Sequence, residues 1–183
     1  MSGVQNKKVL ITGTSRGIGL AIAKEFLSQG AQVFGTATKG SAPTGFSGFC
    51  AADFSKREGI QQCVNFVTDV QPDIVINNAG VAGGAKQGID DVDLDDWHAT
   101  LNINTIAPLI VARSFKSNLA ASGNGKLMNV TSQLAASTWP MGGMLIYSTT
   151  KAAVLGLTRA LAVELGANGI TANAILPGYV ESD

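Results

Sequence analysis

The chain of 183 residues contains 13 basic and 13 acidic side chains, so its formal net charge is zero. This balance argues against a nucleic-acid-binding surface and against an anionic-membrane patch. Hydrophobic residues make up 45% of the chain and charged residues 14%, which excludes disorder and predicts one globular domain over residues 1–183. No run has the length of a signal peptide or membrane span, and Cys50 and Cys63 lack metal or redox spacing. We therefore expect a cytoplasmic protein with reduced thiols.

Strand-like and helix-like segments alternate along the chain. Short apolar runs predict strands at residues 7–12, 31–36, 49–52, 73–77, 126–131 and 170–176. Helices are predicted at residues 20–29, 55–70, 95–119 and 145–166. Ser55 is expected to cap the second helix with Glu58 completing a capping box, and Pro108 to kink the third or shift its register.

This alternation predicts an α/β fold. The expected architecture is a doubly wound parallel sheet of the Rossmann type, with helices on both faces in three α/β/α layers. In such sheets, ligands bind beyond the carboxyl ends of the strands. The motifs described below all lie at such ends.

A glycine-rich turn, Gly13-Thr14-Ser15-Arg16-Gly17-Ile18-Gly19, joins the first predicted strand to the first helix. Glycines let the backbone approach a pyrophosphate, and the free amides at the start of the helix hold it. The position of the turn between a strand and an apolar helix therefore predicts dinucleotide binding.

Tyr147 and Lys151 are four positions apart in the last predicted helix. That spacing places both side chains on one helix face, a turn apart. A nearby ammonium favours the phenolate and lowers a tyrosine pKa from its usual value of about 10. A tyrosine tuned in this way can transfer a proton near neutral pH. The apolar and small residues at 152–157 indicate that the pair is buried and functional.

The ordered set of motifs resembles the short-chain dehydrogenase/reductase family, and most of all its 3-oxoacyl-acyl-carrier-protein reductases. The matching motifs, in family order, are Thr12 to Gly19, Asn77-Asn78-Ala79-Gly80, Asn104, Ser132, Tyr147 with Lys151, and Pro177-Gly178. The resemblance covers essentially the whole chain. Members of the family continue beyond the Pro-Gly motif with a substrate-covering helix and a seventh strand. The chain is therefore expected to be C-terminally truncated relative to the family, with its sixth strand at an exposed edge.

The resemblance implies an oxidoreductase that interconverts a ketone and a secondary alcohol. A carbonyl that is being reduced needs a hydrogen-bond donor and a proton source, because negative charge develops on its oxygen. Tyr147 would supply the proton and Ser132 the orienting hydrogen bond. Lys151 would hold the nicotinamide ribose, and Asn104 would complete a water-linked proton relay. The cofactor would carry the hydride.

Some alternatives remain open at this stage. Asn102 competes with Asn104, and Ser137 competes with Ser132. A second possible function is a cofactor-binding but catalytically weak fragment, or a binding and assembly protein without the substrate lid. The expected partners are a small carbonyl or alcohol substrate and further copies of the chain, as a dimer or tetramer. No metal site is expected, because the acids at 90–96 fit helix capping better.

The expected cofactor-binding residues cluster at strand ends. They are Gly13, Ser15, Arg16, Gly17, Ile18, Gly19, Thr36, Asp53, Phe54, Asn78, Ala79, Gly80, Tyr147, Lys151, Pro177, Gly178 and Val180. By resemblance, Asp53 would accept a hydrogen bond from the adenine amino group; a strand-end turn is the alternative role. Asn77 is expected to be mainly structural. Ser182 stands where the family often has a threonine that bonds the carboxamide.

The choice of cofactor depends on the end of the second strand. An acid there would bind the ribose 2′-hydroxyl of NAD and repel a 2′-phosphate, but Thr36-Ala37-Thr38-Lys39 contains none. The Arg16 guanidinium can pair with that phosphate bidentately, and Lys39 adds positive charge. The sequence therefore favours NADP(H). NAD(H) is the alternative, with Arg16 as a solvated loop cation.

Overall fold

The computed structural model describes residues 3–84, 87–121, 124–137 and 142–181, with backbone alone for 117–121. Its strands are β1 (Lys8–Thr12), β2 (Gln32–Ala37), β3 (Gly48–Ala51), β4 (Ile74–Asn77), β5 (Lys126–Val130) and β6 (Thr171–Ile175). They form one parallel sheet in the order β3-β2-β1-β4-β5-β6. The strand order reverses between β1 and β4, and such a reversal opens a crevice at the carboxyl ends of the strands.

The helices connect the strands and cover both faces of the sheet. They are α1 (Gly17–Ser28), α2 (Arg57–Val70), α3 (Leu94–Leu101), α4 (Ala107–Ala121) and α5 (Leu145–Gly166). One buried cluster joins the sheet to α2, α4 and α5 and includes Phe115, the largest fully buried side chain among the described residues. A second cluster joins Val9, Val33 and Ile76 to Ala23 of α1 on the opposite face. The predicted doubly wound, three-layer α/β/α fold is confirmed.

The predicted third helix is divided by a π-helical turn, Asn102–Ile106, in which the Ala107 amide donates to the Asn102 carbonyl five residues earlier. Pro108 follows directly. A proline lacks an amide hydrogen, and its ring clashes with the carbonyl four residues before it. The register shift expected at Pro108 therefore takes the form of a π turn.

Two helix starts differ from expectation. The proposed Ser55 cap with its capping box is wrong, because α2 begins after Lys56 without a side-chain cap. The Ser55 hydroxyl instead donates to Asp53 Oδ1 at 2.7 Å, so a competing turn engages it. Helix α1 begins at Gly17, three residues before the predicted start. At α3 the capping interpretation holds, since the Asp93 side chain accepts from the Asp96 amide at 2.9 Å.

A buried polar chain joins two central strands to α5. Asn77 Nδ2 donates to Asn129 Oδ1 at 2.9 Å, and Asn129 Nδ2 donates to Thr158 Oγ1 at 2.8 Å. This pairing agrees with a mainly structural Asn77. Strand β6 lies at one edge of the sheet, as expected. Within the described ranges, no helix combines the length and apolar character needed to cross a membrane.

Candidate active site

A cleft of about 510 Å³ lies at the carboxyl ends of β1, β2, β4 and β5. It is lined by most of the residues that the sequence singles out: Gly13, Ser15, Arg16, Gly17, Ile18, Gly19, Thr36, Asp53, Phe54, Asn78, Ala79, Gly80, Ser132, Tyr147, Lys151, Pro177 and Gly178. Asn104 lies behind the wall of the cleft. Val180 does not line it and is 55% exposed. Ser182 lies outside the described residues.

The glycine turn forms a cradle without side chains at one end of the cleft. Gly13 and Gly17 have φ values of +73° and +57°, which residues with a Cβ rarely adopt. A Cβ on Gly19 would lie 2.1 Å from the Gly13 carbonyl oxygen. Arg16, the N-cap residue of α1, makes no side-chain capping bond. The first amides of α1 are therefore available to an anion, and the cradle fits the pyrophosphate of a dinucleotide.

Thr12 and Asn78 tie this turn to the end of β4. Thr12 Oγ1 accepts from the backbone amides of Asn78 and Ala79, each at 3.0 Å. In return, Asn78 Nδ2 donates to the carbonyls of Thr12 and Gly13 at 2.9 and 3.0 Å. The sequence predicted neither contact. The available signal was a threonine directly before the first glycine, at the end of a buried strand.

The end of β2 forms the second part of the wall. The Thr36 carbonyl accepts from the backbone amide and the hydroxyl of Thr14 at 2.8 and 3.2 Å. Ala37 and Thr38 also line the cleft, although the sequence did not predict them as site residues. Arg16 lines the cleft and is exposed, whereas Lys39 is exposed and lies outside the lining. Arg16 thus presents a cation to this part of the cleft, and the described residues 36–39 at the end of β2 carry no carboxylate.

Asp53 lines the cleft and also forms a local turn. Its Oδ1 accepts from the Ser55 hydroxyl at 2.7 Å and from the Ser55 amide at 3.1 Å. These hydrogen bonds, the hydroxyl first, hold the pKa of the Asp53 carboxyl below its ordinary value. The Lys56 ammonium lies 3.8 Å from Oδ2. The turn role is therefore observed, and the adenine contact remains a prediction.

Tyr147 and Lys151 meet at the other end of the cleft. Lys151 Nζ lies 5.8 Å from the centroid of the Tyr147 ring and donates to the Val130 carbonyl at 3.0 Å. Lys151 is only 4% exposed, and this burial lowers its pKa to about 8. A cation held in such surroundings can stabilise negative charge on a neighbouring oxygen.

Ser132, just after β5, also lines this end. Its Oγ accepts from the Leu134 amide at 3.2 Å, which leaves the hydroxyl hydrogen free to donate into the cleft. Ser137, the alternative, is exposed, does not line the cleft and donates to the Gln133 carbonyl at 2.9 Å. The geometry thus places Ser132, and not Ser137, beside Tyr147 and Lys151.

Asn104 lies at the centre of the π turn and is 2% exposed. Its Oδ1 accepts from the Val81 amide and its Nδ2 donates to the Val81 carbonyl, both at 2.9 Å. A Cβ on Gly80 would lie 3.0 Å from Lys151 Nζ and 3.3 Å from Asn104 Oδ1, so both groups pack close to the bare backbone of Gly80. Asn102 instead donates to the Ser55 carbonyl at 3.4 Å.

Other lining residues were not predicted. They flank the motifs and are mostly small or apolar: Ala37, Thr38, Ala52, Val81, Ala82, Ile103, Val130 and Thr131. Ile103 lies in the π turn, and for the others the adjacency to a strand end or to a motif was the signal that the sequence carried. No group of three His, Cys, Asp or Glu side chains in the described ranges could hold a metal ion.

Comparisons with known proteins agree with this architecture. The family model described as short chain dehydrogenase matches residues 7–183. The 3-oxoacyl-[acyl-carrier-protein] reductase FabG of Chlamydia pneumoniae is 32% identical over 189 residues, which cover 97% of this chain and 75% of that protein.

Solved structures match the fold as well. A short chain dehydrogenase from Burkholderia cenocepacia J2315 in complex with NADP superposes with a TM-score of 0.86 and is 35% identical, over 98% of this chain and 77% of that one. The 4-hydroxyisoleucine dehydrogenase complexed with NADH gives a TM-score of 0.87 at 26% identity, over 97% of this chain and 78% of that one. The protein is therefore an enzyme of the short-chain dehydrogenase/reductase family.

Proposed function

We propose that the protein is an NADP(H)-dependent oxidoreductase that interconverts a ketone and a secondary alcohol. The observation that carries the proposal is that Ser132, Tyr147 and Lys151 line one end of a cleft whose other end is the glycine cradle. A dinucleotide that spans the cleft would bring its reactive ring to these three side chains. The similarity to a 3-oxoacyl-[acyl-carrier-protein] reductase and to an NADP-bound dehydrogenase supports the same chemistry.

The nicotinamide, when bound, supplies or accepts the hydride. In the reducing direction, the Ser132 hydroxyl donates a hydrogen bond to the substrate carbonyl oxygen. This is feasible because Leu134 already donates to Ser132 Oγ and leaves the hydroxyl hydrogen free. The Tyr147 hydroxyl then passes its proton to the same oxygen as negative charge develops there. In the oxidising direction, the hydride transfer and the proton transfer both reverse.

Lys151 has a dual role in this proposal. One of its three ammonium hydrogens is engaged by the Val130 carbonyl, and the others are available to the ribose hydroxyls and the phenol oxygen. Its positive charge stabilises the phenolate left after proton transfer. Asn104 donates both side-chain amide hydrogens, one to the Val81 carbonyl in the wall of the cleft and one to Thr150 Oγ1. In this proposal, water beside Asn104 would carry to Lys151 the proton that replaces the one given up by Tyr147.

The preference for NADP(H) follows from the wall at the end of β2. Arg16 is exposed at the cleft, and no carboxylate stands at Thr36, Ala37 or Thr38 to bind a free 2′-hydroxyl. The guanidinium is suited to a 2′-phosphate. NAD(H) remains the second choice of cofactor.

The domain organisation, cellular compartment and oligomeric state of the enzyme are also part of the proposal. We infer a single cytoplasmic domain that assembles as a dimer or tetramer through α4 and α5. The exposed apolar side chains of Leu109 and Val163 on these helices support this arrangement, with exposed fractions of 37% and 82%.

The test begins with titration of the chain with NADPH and NADH, followed by NADPH consumption with a panel of ketones. Tight NADPH binding with turnover is expected. Tyr147→Phe should retain cofactor affinity and lose most turnover, by roughly a hundredfold or more. Tyr179→Phe, at the other tyrosine of the sequence, is the comparison variant. Binding without turnover would instead indicate a cofactor-binding but catalytically weak protein, and an active Tyr147→Phe variant would overturn the role of the tyrosine.

A further inference from the structure

A buried glutamine in the loop after β4 contacts the backbone of Tyr147. Gln87 is 4% exposed, and its Oε1 accepts from the Tyr147 amide at 3.1 Å. Tyr147 is the third residue of α5, where amides have no acceptor within the helix. Met144, the N-cap residue, makes no side-chain capping bond. Gln87 therefore caps α5 from a segment sixty positions earlier in the chain.

The other end of the Gln87 side chain is attached to the wall of the cleft. Its Nε2 donates to the Ala82 carbonyl at 2.6 Å and to the Gly84 carbonyl at 3.0 Å. Both amide hydrogens are thus engaged, and Ala82 lines the cleft. The side chain links the wall of the cleft directly to the residue that carries the phenol.

A second link joins the Tyr147 backbone to the same wall. The Tyr147 carbonyl accepts from Thr150 Oγ1 at 2.9 Å, and that hydroxyl accepts from Asn104 Nδ2 at 3.0 Å. Asn104 is in turn paired with both backbone groups of Val81. The amide of Tyr147 is therefore connected through Gln87 to Ala82, and its carbonyl is connected through Thr150 and Asn104 to the adjacent residue of the same loop, Val81.

These two links close a ring of hydrogen bonds. Val81 and Ala82 are consecutive, so the ring runs from the wall through Asn104 and Thr150 to Tyr147 and returns through Gln87. A shift of the Tyr147 backbone along the cleft would strain or break these hydrogen bonds, which are partly or fully buried, and that is costly. Proton transfer needs donor and acceptor oxygens at hydrogen-bonding distance, and small displacements reduce the rate sharply.

We propose that Gln87 is a positioning residue that holds Tyr147 at the distance from the cleft wall required for proton transfer. This role rests on the proposed function, since it affects turnover only if Tyr147 transfers a proton. Gln87 touches neither substrate nor cofactor in this proposal. It acts through the backbone of Tyr147.

The test compares Gln87→Leu, which keeps the shape and removes every hydrogen bond, with Gln87→Glu, which keeps an acceptor for the Tyr147 amide. Gln61→Leu is the matched control, because Gln61 is exposed on α2 and bonds there to Asn65. For each variant, NADPH affinity, kcat and KM for the best ketone, and hydrogen exchange of the Tyr147 amide are measured.

For Gln87→Leu we expect NADPH affinity within about twofold of the unmodified chain and kcat lower by roughly ten- to a hundredfold. The Tyr147 amide should exchange about tenfold faster, because its acceptor is lost. Gln87→Glu should retain the amide protection and a larger share of kcat. Gln61→Leu should match the unmodified chain in all measurements.

Three outcomes would overturn the assignment. The first is an unchanged kcat in Gln87→Leu, and the second is an unchanged exchange rate of the Tyr147 amide. The third is a parallel loss of NADPH binding and kcat in both variants, which would mean that Gln87 supports the fold in general. An unmodified chain that binds NADPH and reduces no ketone would overturn the proposed function itself, and with it the role of Gln87 in catalysis. The failure of the Gln87 assignment and the failure of the proposed function are distinguishable, because only the latter shows in the unmodified chain.

Discussion

The Lys151 ammonium lies 5.8 Å from the centre of the Tyr147 ring, and both residues line the same end of the cleft. Lys151 is 4% exposed, and within the described structure no carboxylate forms a salt bridge with it. A poorly solvated cation destabilises the folded chain. The arrangement that suits the proposed chemistry therefore has a cost in stability that can be measured.

Replacing Lys151 with Met should stabilise the protein at neutral pH. Burial lowers the Lys151 pKa from 10.5 to about 8, so from pH 8 to 10.5 the unfolded chain binds a proton that the folded chain does not. Stability due to this group therefore rises with pH through that window, and the full penalty is present below it. We expect Lys151→Met to be more stable by about 3 kcal/mol at pH 7, with the difference shrinking toward pH 10.

Urea unfolding at pH 7 and pH 9.5 measures this difference. Lys24→Met, at an exposed site on α1, serves as the control for the loss of a lysine. A Lys151→Met variant less stable than the unmodified chain at pH 7, or a difference that does not change with pH, would contradict the buried-cation interpretation.

Replacing Arg16 with Ala should weaken NADPH far more than NADH. The guanidinium is exposed at the cleft, and its pairing with a 2′-phosphate would be a charge-assisted bidentate contact. We expect NADPH affinity to fall by roughly ten- to a hundredfold and NADH affinity to change by about twofold or less. Fluorescence titration measures both. Arg159→Ala, at an exposed arginine of α5, should alter neither affinity, and equal losses in Arg16→Ala would refute the account of cofactor preference.

Two glycine-to-alanine substitutions should have opposite effects on stability. A Cβ on Gly19 would lie 2.1 Å from the Gly13 carbonyl oxygen and 2.3 Å from Asn78 Nδ2, so the cradle must deform. We expect Gly19→Ala to lower stability by about 1–3 kcal/mol and to weaken NADPH binding. Gly156 lies within α5, and a Cβ there meets nothing within 4 Å. Gly156→Ala should raise stability by about 0.5–1 kcal/mol.

Thermal and urea unfolding of both variants, with NADPH titration, checks this pair. Retained NADPH affinity in Gly19→Ala would show that the cradle is not where the cofactor binds. A destabilised Gly156→Ala would show that α5 is packed at that position in solution.

Two buried threonines should respond differently to valine. Thr100 is 1% exposed, and its hydroxyl has no hydrogen-bond partner among the described residues. Thr158 donates to the Val154 carbonyl at 2.8 Å and accepts from Asn129 at 2.8 Å. We expect Thr100→Val to be more stable by about 1 kcal/mol and Thr158→Val less stable by about 1–3 kcal/mol. Urea unfolding measures both, and destabilisation of Thr100→Val would mean that water fills the space beside its hydroxyl.

Much of the fold could be predicted because its signals are local. Helix α5 has the predicted bounds, since an uninterrupted run of helix-compatible residues extends from Leu145 to Gly166. The glycine turn was located from its place between a strand and a helix, whereas the Asn-Asn-Ala-Gly stretch and Ser132 were located through the resemblance to the family's ordered motifs. The inferences about α5 and the glycine turn needed only a short window of sequence and the general topology.

The features that escaped prediction depend on side chains from distant segments. Ser55 lost its capping role because Asp53 competes for its hydroxyl, a choice between two local turns that composition does not decide. Gln87 contacts Tyr147 across sixty positions, and nothing in its neighbours indicates that its side chain is buried. The bonds between Thr12 and Asn78 likewise form only when β1 and β4 are adjacent.

The amide pair at the ends of β4 and β5 bears on how the chain avoids misfolding. Asn77 and Asn129 face each other in the ladder, and the bond from Asn77 Nδ2 to Asn129 Oδ1 forms only in that pairing. If the two strands paired one residue out of step, this bond would be lost and its buried groups left poorly paired, at a cost of about 1–3 kcal/mol. The apolar side chains of the two strands lose less in such a slip, because they make no side-chain hydrogen bonds that depend on one partner. The two asparagines therefore discriminate against a mispaired sheet before any cofactor is bound.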